Sequence, residues 1–551
     1  MRRNILLILI VTLAFSLRLI NLGKIPAGIS PDEISQGYTA YSILKTGKDE
    51  WGIPLPITSF KSFLDYKAVL QTYFMVPGVA LFGLSEFAIR LPSAIFGTLA
   101  IIVVYLLVNS LFQNKKIGLL AAFFLAISPW HLQFSRTALE VNLSSFLFPF
   151  GLYCFIEGLK RPKLLYLAAL VWGLNLYTYH AAKYFEPLFM IGLLIIFWKQ
   201  LKNIRKNTLV ISVLIIAIIS APQLFATVFG NAGDRAKDLL ITQINPLAVD
   251  GIAKLQYFSP LNRVSIVISR IFSNKVTYII NQFVNNYVSY LTPSFWFTEG
   301  GRETTYSVLP GTGLLYLWML PLIIIALYQL VKEKNNRLSL LLLWLFLGII
   351  PAALTKEGYR PNRVGSLLVF WEIIAAYGAF YLLKSYSYTK HKVAYIILLG
   401  LSSIVTIFYF NTYFFEYSYK YPTALSYGYP QLVSKLSKLD TTKTVIVDKG
   451  NNSQTYFAFY QKIDPQYFQQ NTQKWTEMIN LKHPLYLDQL ETYSLKNITF
   501  KNFNSQTDLV KGNIVAIPAV KMSDSYLGYV KDRVLYPDES VAFYILEKNE
   551  K

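Results

Sequence analysis

Cysteine is all but missing from this chain. The 551 residues contain one, Cys154, set in an apolar run, so no intramolecular disulfide can form. Histidine is nearly as rare, and four histidines with one cysteine give no metal-ligand cluster. Charge is thin, at 15% of residues against roughly 25% in soluble domains, and acidic residues are the scarcer sign, 31 against 52 basic. No segment repeats and none is of low complexity. These shortages exclude a disulfide scaffold, a zinc module and an ordinary soluble domain.

What is abundant is apolar: 54% of residues are hydrophobic and 16% aromatic. Runs such as "NILLILIVTLAFSL", "AIFGTLAIIVVYLLV" and "SLLLLWLFLGII" recur through the first three quarters. A helix needs about 20 such residues to cross a hydrocarbon core of about 30 Å, so the sequence predicts a polytopic α-helical membrane protein. The net charge of +21 does not point to nucleic acid. Residues 1–413 hold 36 Lys and Arg against 17 Asp and Glu, whereas residues 414–551 hold 16 against 14. The surplus lies in short loops between apolar runs, where basic residues set orientation in the membrane. "MRRN" and the run after it resemble a signal peptide, but "RLINLGKIP" follows without a small-residue cleavage site, which predicts an uncleaved first helix.

Eleven spans are predicted, near 5–20, 91–112, 117–134, 142–159, 163–179, 183–198, 208–228, 311–331, 338–354, 364–384 and 393–413. They put all six basic loops, at 1–4, 113–116, 160–163, 199–207, 332–337 and 384–392, on the cytoplasmic side. The apolar stretch 68–84 is short, carries Pro77, and as a span would turn every later basic loop outward. It is therefore expected to be an interfacial or re-entrant helix on the outer side. The domain expectation is a membrane domain over 1–413, with outer loops 21–90 and 229–310, and an extracytoplasmic domain over 414–551. The latter shows short alternating stretches, "TVIVDK", "YFAFYQKI", "NIVAIPAV" and "VAFYILEK", and helical spacing in "YPQLVSKLSKL". That pattern suits a small α/β domain.

Ionisable residues beside a bilayer are costly unless they face water, pair or bind something. Four groups fall on the expected outer face: Asp32-Glu33, Lys67 in "FLDYKAVLQTY", His131, Arg136 and Glu140 in "SPWHLQFSRTALEVN", and Arg360 and Arg363 in "TKEGYRPNRVGS". Each also has a purely structural reading. Asp32 after Pro31 suits a helix cap. Lys67 suits a snorkelling lysine, and Arg136 and Glu140, four apart, suit a helical pair. Arg360 and Arg363 suit anchors to lipid headgroups, and His131 beside Trp130 suits interface packing. The combination of acids with a phosphate-suited basic cluster suits transfer of sugar from a lipid-linked phosphate. Lys and Arg stabilise a phosphate leaving group, and a carboxylate on a separate wall takes the acceptor's proton.

The stretches "PAGISPDEISQGYTAYSILKTGKDEWGIPLP", "LDYKAVLQTYF" and "LFGLSEFAIRLPSAIFGTLAI" resemble the protein O-mannosyltransferases and aminoarabinose transferases of the GT-C glycosyltransferase superfamily. "SPWHLQFSRTALEVNLSSF" and "RPNRVGSLL" resemble later motifs of the same bacterial branch, so the resemblance covers about residues 5–370. It implies an inverting transferase in the cell membrane, acting on the outer face with a polyprenyl-phosphate sugar donor and a hydroxyl acceptor, without catalytic metal or cofactor. Asp32 then resembles the catalytic base, with Glu33 and Glu140 on the acceptor side. Lys67 resembles the lysine that holds the lipid phosphate, although Tyr66 stands before it where the aminoarabinose enzymes carry an acid. Arg90 in "RLPSA" resembles a functional arginine, and Arg360 and Arg363 complete the phosphate wall. Tyr38, Tyr66, Arg136 and Asn362 are the expected substrate-binding residues. Aromatics of "TPSFWFTEGGRETTYS" in the 229–310 loop would cover the site. A lipid-linked glycan polymerase or ligase needs similar outer-face charges. A transporter or flippase is the alternative outside enzymes, and it favours internal repeats and polar midplane helices, whereas these charges lie at the rim.

Overall fold

The computed structural model describes residues 2–230, 239–301, 305, 307–333, 336–386, 392–439, 443–482 and 487–548. Parts of the basic loops 332–337 and 384–392, and of the outer loop 229–310, lie outside these residues. By internal contacts the chain divides into two units. One comprises Met1–Val11, Leu99–His131 and Ser144–Ser402, and the other Thr12–Thr98, Leu132–Leu143 and Ser403–Lys551.

The first elements in the chain are α1 (Arg2–Leu19), α2 (Pro31–Thr46), a hairpin of β1 (Phe60–Ser62) and β2 (Asp65–Lys67), α3 (Leu70–Phe82) and α4 (Glu86–Phe112). The start of α2 is written in "SPDE". Ser30 Oγ accepts from the Glu33 N–H (3.2 Å), the Ser30 N–H donates to Glu33 Oε2 (3.1 Å), and Pro31 fills the first turn. Gly47, in the left-handed region, ends the helix. Thirteen residues make α3 about 20 Å long, too short for a bilayer core, as expected for 68–84.

The first unit is a helical array. Its later helices include α5 (Lys115–Ile127), α6 (Pro129–Arg136), which continues into the second unit, α7 (Val141–Gly158), α8 (Leu164–Asn175) and α9 (His180–Ile196). Helix Lys206–Val228 packs on α8, Asn336–Ala353 on α9, and Phe370–Tyr386 on both α5 and Met319–Glu333. That last crossing is close enough that a Cβ on Gly378 would lie 1.8 Å from the Leu322 carbonyl oxygen. A helix underlies each of the eleven expected spans. Among the described residues, four helices are long and apolar enough to cross a membrane, or six if two bent pairs each count once. One bent pair corrects the expected single span 117–134. α5 and α6 are bent by 58° at Pro129, which has no N–H to continue the ladder. The expected span from 311 is helical only from Met319, after a loop and turns that follow Gly311 at positive φ.

In the second unit the tail forms a six-stranded sheet of order β4-β5-β3-β6-β8-β7. The strands are β3 (Thr444–Asp448), β4 (Thr492–Leu495), β5 (Ile498–Lys501), β6 (Asn513–Pro518), β7 (Val530–Leu535) and β8 (Val541–Glu547). β3 runs parallel to β5 and β6, and the other pairs are antiparallel. Three of the four alternating stretches are strands, but "YFAFYQKI" is mostly helix Ser453–Tyr460. The helix is buried through Phe459, so the run has no polar face to reveal its period. The tail does not keep its core to itself. Ile29, Ile34, Tyr38 and Ile89 share one buried cluster with Tyr456, Phe459, Phe468 and Trp475. The expected boundary at 413/414 therefore runs through this unit.

Candidate active site

Asp32 and Glu33 share the first turn of α2, yet the fold uses them differently. Glu33 is fully buried, and its Oε1 accepts from Arg90 Nε (3.0 Å) and the Ala138 N–H (2.8 Å). Arg90 is equally buried and donates onward to the carbonyls of Leu22 (3.3 Å), Pro26 (3.1 Å) and Gly28 (2.6 Å). A desolvated ion pair holds only when its remaining polar atoms are matched, and here they are matched by loop backbone. Gly28 has φ +86°, and a Cβ there would lie 2.3 Å from the Leu425 carbonyl oxygen. These contacts fix the N-terminus of α2 in position. Arg90 and Glu33, expected on the phosphate wall and the acceptor side, are thus tied to each other and to loop backbone.

Asp32 is not the cap, since Ser30 is. Its carboxylate, 16% exposed at the positive end of α2, is ion-paired with the Lys67 ammonium, which is 2% exposed. Acid and lysine were expected on separate walls, but they are in contact. Lys67 closes β2, and the hairpin turns at Phe63 (φ +36°) and Leu64 (φ +73°). Two-residue turns with both φ positive are ordinarily built from Asn-Gly. Bulky residues there store about 1–3 kcal/mol each, held by surrounding structure. Phe63 is buried, and its ring lies 4.5 Å from Lys67 Nζ.

The other expected site residues have mixed placements. Tyr38, expected to bind substrate, is buried and donates to the Ile463 carbonyl (3.0 Å), its ring 5.0 Å from Phe468. Arg136 ends α6 fully buried. It donates to the carbonyls of Leu17 (2.6 Å) and Ile20 (2.6 Å), where α1 ends, and to that of Ile25 (2.9 Å) in the loop beyond. Arg136, expected to bind substrate, has its guanidinium taken up by these carbonyls. Glu140 lies past the end of α6, in the turn before α7, so no helical pairing with Arg136 forms. Glu140 and Tyr66 are half-buried.

Arg360 and Arg363 belong to the first unit, around the 3-10 turn Pro361–Leu367. Both reach Glu357 Oε2, Arg360 at 2.7 Å and Arg363 at 3.4 Å, and Glu357 is 54% exposed. Arg363 also donates to Thr355 Oγ1 (2.6 Å). Asn362 is half-buried between them, its amide oxygen without a hydrogen-bond partner. His131 Nε2 lies 3.3 Å from Ser145 Oγ, and Trp130 packs on Trp296. Among the described residues no group of three His, Cys, Asp or Glu is placed to hold a metal.

The dolichyl-phosphate-mannose-protein mannosyltransferase family matches residues 67–225. The structure of ArnT from Cupriavidus metallidurans in the apo state superposes with a TM-score of 0.53 at 13% identity, covering 98% of this chain and 97% of that one. The oligosaccharyltransferase AglB from Archaeoglobus fulgidus gives a TM-score of 0.50 at 14% identity over 83% of this chain. This chain spans 63% of the archaeal enzyme's length. At these identities the likeness is one of fold. The chain resembles the GT-C glycosyltransferases. No curated protein matches its sequence significantly.

Within this GT-C-like fold, two further acids of the first loop escaped the sequence reading. Asp49 and Glu50 are adjacent carboxylates in the first loop, as Asp32 and Glu33 are, and both are buried. Asp49 Oδ1 accepts from the N–H groups of Trp51 (2.9 Å) and Ile53 (2.8 Å), while burial pushes its carboxyl up to about 6. Burial pushes Glu50 up to about 8, with the Ser62 and Thr39 hydroxyls and the charge of Lys67 pulling the other way. The same unit holds a cavity of about 880 Å³ lined by Lys24, Glu86, Tyr417, Gln431 and Tyr460 among others. Neither Asp32 nor Lys67 lines it.

Proposed function

We propose that the chain is an inverting membrane glycosyltransferase that moves a sugar from a polyprenyl phosphate to a hydroxyl acceptor. One observation carries the reading: a nearly buried lysine ion-paired with Asp32, the carboxylate of "PDE" that the Arg90 pair does not take. The solved ArnT was bound to undecaprenyl phosphate and AglB to a dolichol-phosphate, ligands of one chemical class. Here the donor phosphate takes Lys67 as its counterion and releases Asp32 from the pair. The freed carboxylate accepts the acceptor's O–H proton as that oxygen attacks the anomeric carbon. The bond from that carbon to phosphate oxygen breaks on the opposite face, and polyprenyl phosphate leaves.

Within the first unit, Arg360, Arg363 and Asn362 form an anion-suited cluster of their own, with Glu357 as its exposed counterion. Glu140 and Tyr66 act on the acceptor side. The basic loops support an outer-face site in this reading, with the eleven expected spans running to and fro across the bilayer. Purified protein incubated with polyprenyl-phosphate mono- and oligosaccharides should release polyprenyl phosphate from at least one of them. Transport of such a lipid across vesicles without any cleavage would contradict the reading.

A further inference from the structure

The tail's sheet has a feature that the chemistry above does not use. Its order β5-β3-β6 sets β3 between two parallel partners. From β3 the chain goes to β5 on one side and then returns to β6 on the other. In open α/β sheets such a switch point leaves a crevice at the carboxyl ends of the strands, where ligands bind. A cavity of about 230 Å³ lies at that place. Asp448 ends β3, Gly450 and Asn451 follow it, Pro518 ends β6, and all four line the cavity.

The other walls come from Ser426, Tyr429, Tyr536 and Phe543, and much of the lining is held in advance. One face of Tyr429 is stacked on Tyr456 with ring centres 4.1 Å apart, and its hydroxyl donates to the Gly450 carbonyl (3.1 Å). Phe543 meets Tyr429 edge-on at 5.1 Å. Asp448, 6% exposed, accepts from the Phe503 N–H (2.9 Å) and pairs with the Lys521 ammonium (2.8 Å). Asn451 Nδ2 donates to Ser426 Oγ (2.5 Å). Ser426 (φ +56°), Asn451 (φ +50°) and the next residue, Asn452 (φ +52°), all lie in the left-handed region. Backbone strain of this kind gathers at ligand clamps and persists only where surrounding structure enforces it.

We propose that this cavity binds one neutral monosaccharide unit. A sugar ring has apolar C–H faces and a rim of hydroxyls that both donate and accept. Tyr429, Tyr536 and Phe543 offer it apolar surface. The Asp448 carboxylate and the Gly450 carbonyl accept hydrogen bonds, while Ser426 and Asn451 can do either. The volume falls below the roughly 300–1,000 Å³ of sites for drug-sized molecules, which suits a single ring. An anion does not suit it: the charged group in the lining is a carboxylate, and among the described residues no Lys or Arg lines the cavity. Neither Asp32 nor Lys67 lines it, so saccharide binding here is independent of the transfer reaction proposed above.

The probes are the methyl glycosides of mannose, glucose, galactose and N-acetylglucosamine. Each is titrated against the full chain in detergent, and binding is read by saturation-transfer NMR. At least one should bind wild type in the millimolar range. Asn451→Gly removes the amide and suits the left-handed backbone, so thermal stability should hold while affinity falls roughly 3- to 10-fold, the worth of one hydrogen bond. Tyr536→Ala removes one aromatic wall and should abolish detectable binding. If Tyr536→Ala fails to fold, Asn451→Gly decides. No binding of any glycoside to wild type, or wild-type affinity in both variants, overturns the inference. Loss of glycoside binding in Lys67→Ala would move the sugar to the transfer site, and capture of a nucleoside monophosphate in place of the glycosides would make this a nucleotide site. Either result contradicts the proposal.

Discussion

Adjacent carboxylates with opposite fates are the main lesson at the scale of single residues. Asp32 and Glu33 differ by one position, which on a helix is a turn of 100°. That step sends Glu33 into a pair with Arg90 and leaves Asp32 facing Lys67. Composition showed that these charges were unusual, but not which of them were structural, because burial depends on what folds over them from residues 22–28 and 138. The Ser-x-x-Glu signature of the capping box is legible in "SPDE", and Ser30, not Asp32, is the cap. Arg90→Ala should lower stability by about 3–5 kcal/mol, since it strands Glu33 as an unpaired buried charge. Thermal unfolding in detergent reads that loss. An unchanged unfolding midpoint with weakened donor binding would return Arg90 to the phosphate wall.

Elements were legible where a strong period or a stop signal marked them, and illegible where tertiary burial overrode both. The eleven apolar runs are helices, and α3 is as short as its Pro77 and flanking charges suggested. The bend at Pro129 could have been read from the proline, whereas the helix in "YFAFYQKI" could not, because nearly every side is buried. The hairpin that presents Lys67 carries no sequence signal at all, since Phe63-Leu64 is a poor turn sequence. Capping and catalysis on α2 can be separated directly. Ser30→Ala should cost about 1 kcal/mol of stability and change the transfer rate only a few-fold. A hundredfold loss of rate in a folded Ser30→Ala protein would mean the cap and the base are not distinct.

Across the whole molecule, the charge surplus was legible in the composition of the short loops and the tail's sheet in its alternating stretches, and the tail does form a sheet. The core shared between the first loop and the tail was not legible, because it joins residues more than 400 positions apart, such as Tyr38 and Ile463. Reporters fused after residue 90 or 417 should read extracytoplasmic, and one at 203 cytoplasmic. A cytoplasmic reading at 90 would make α3 a span and reverse the outer face. The central claim concerns Asp32, and Asp32→Asn tests it most directly by measuring donor binding and sugar transfer on the same purified protein. Asn keeps the size of the side chain and removes proton acceptance, so transfer should fall on the order of 10²–10⁴-fold while donor still binds. Transfer near the wild-type rate in Asp32→Asn would contradict the assignment of Asp32 as the base.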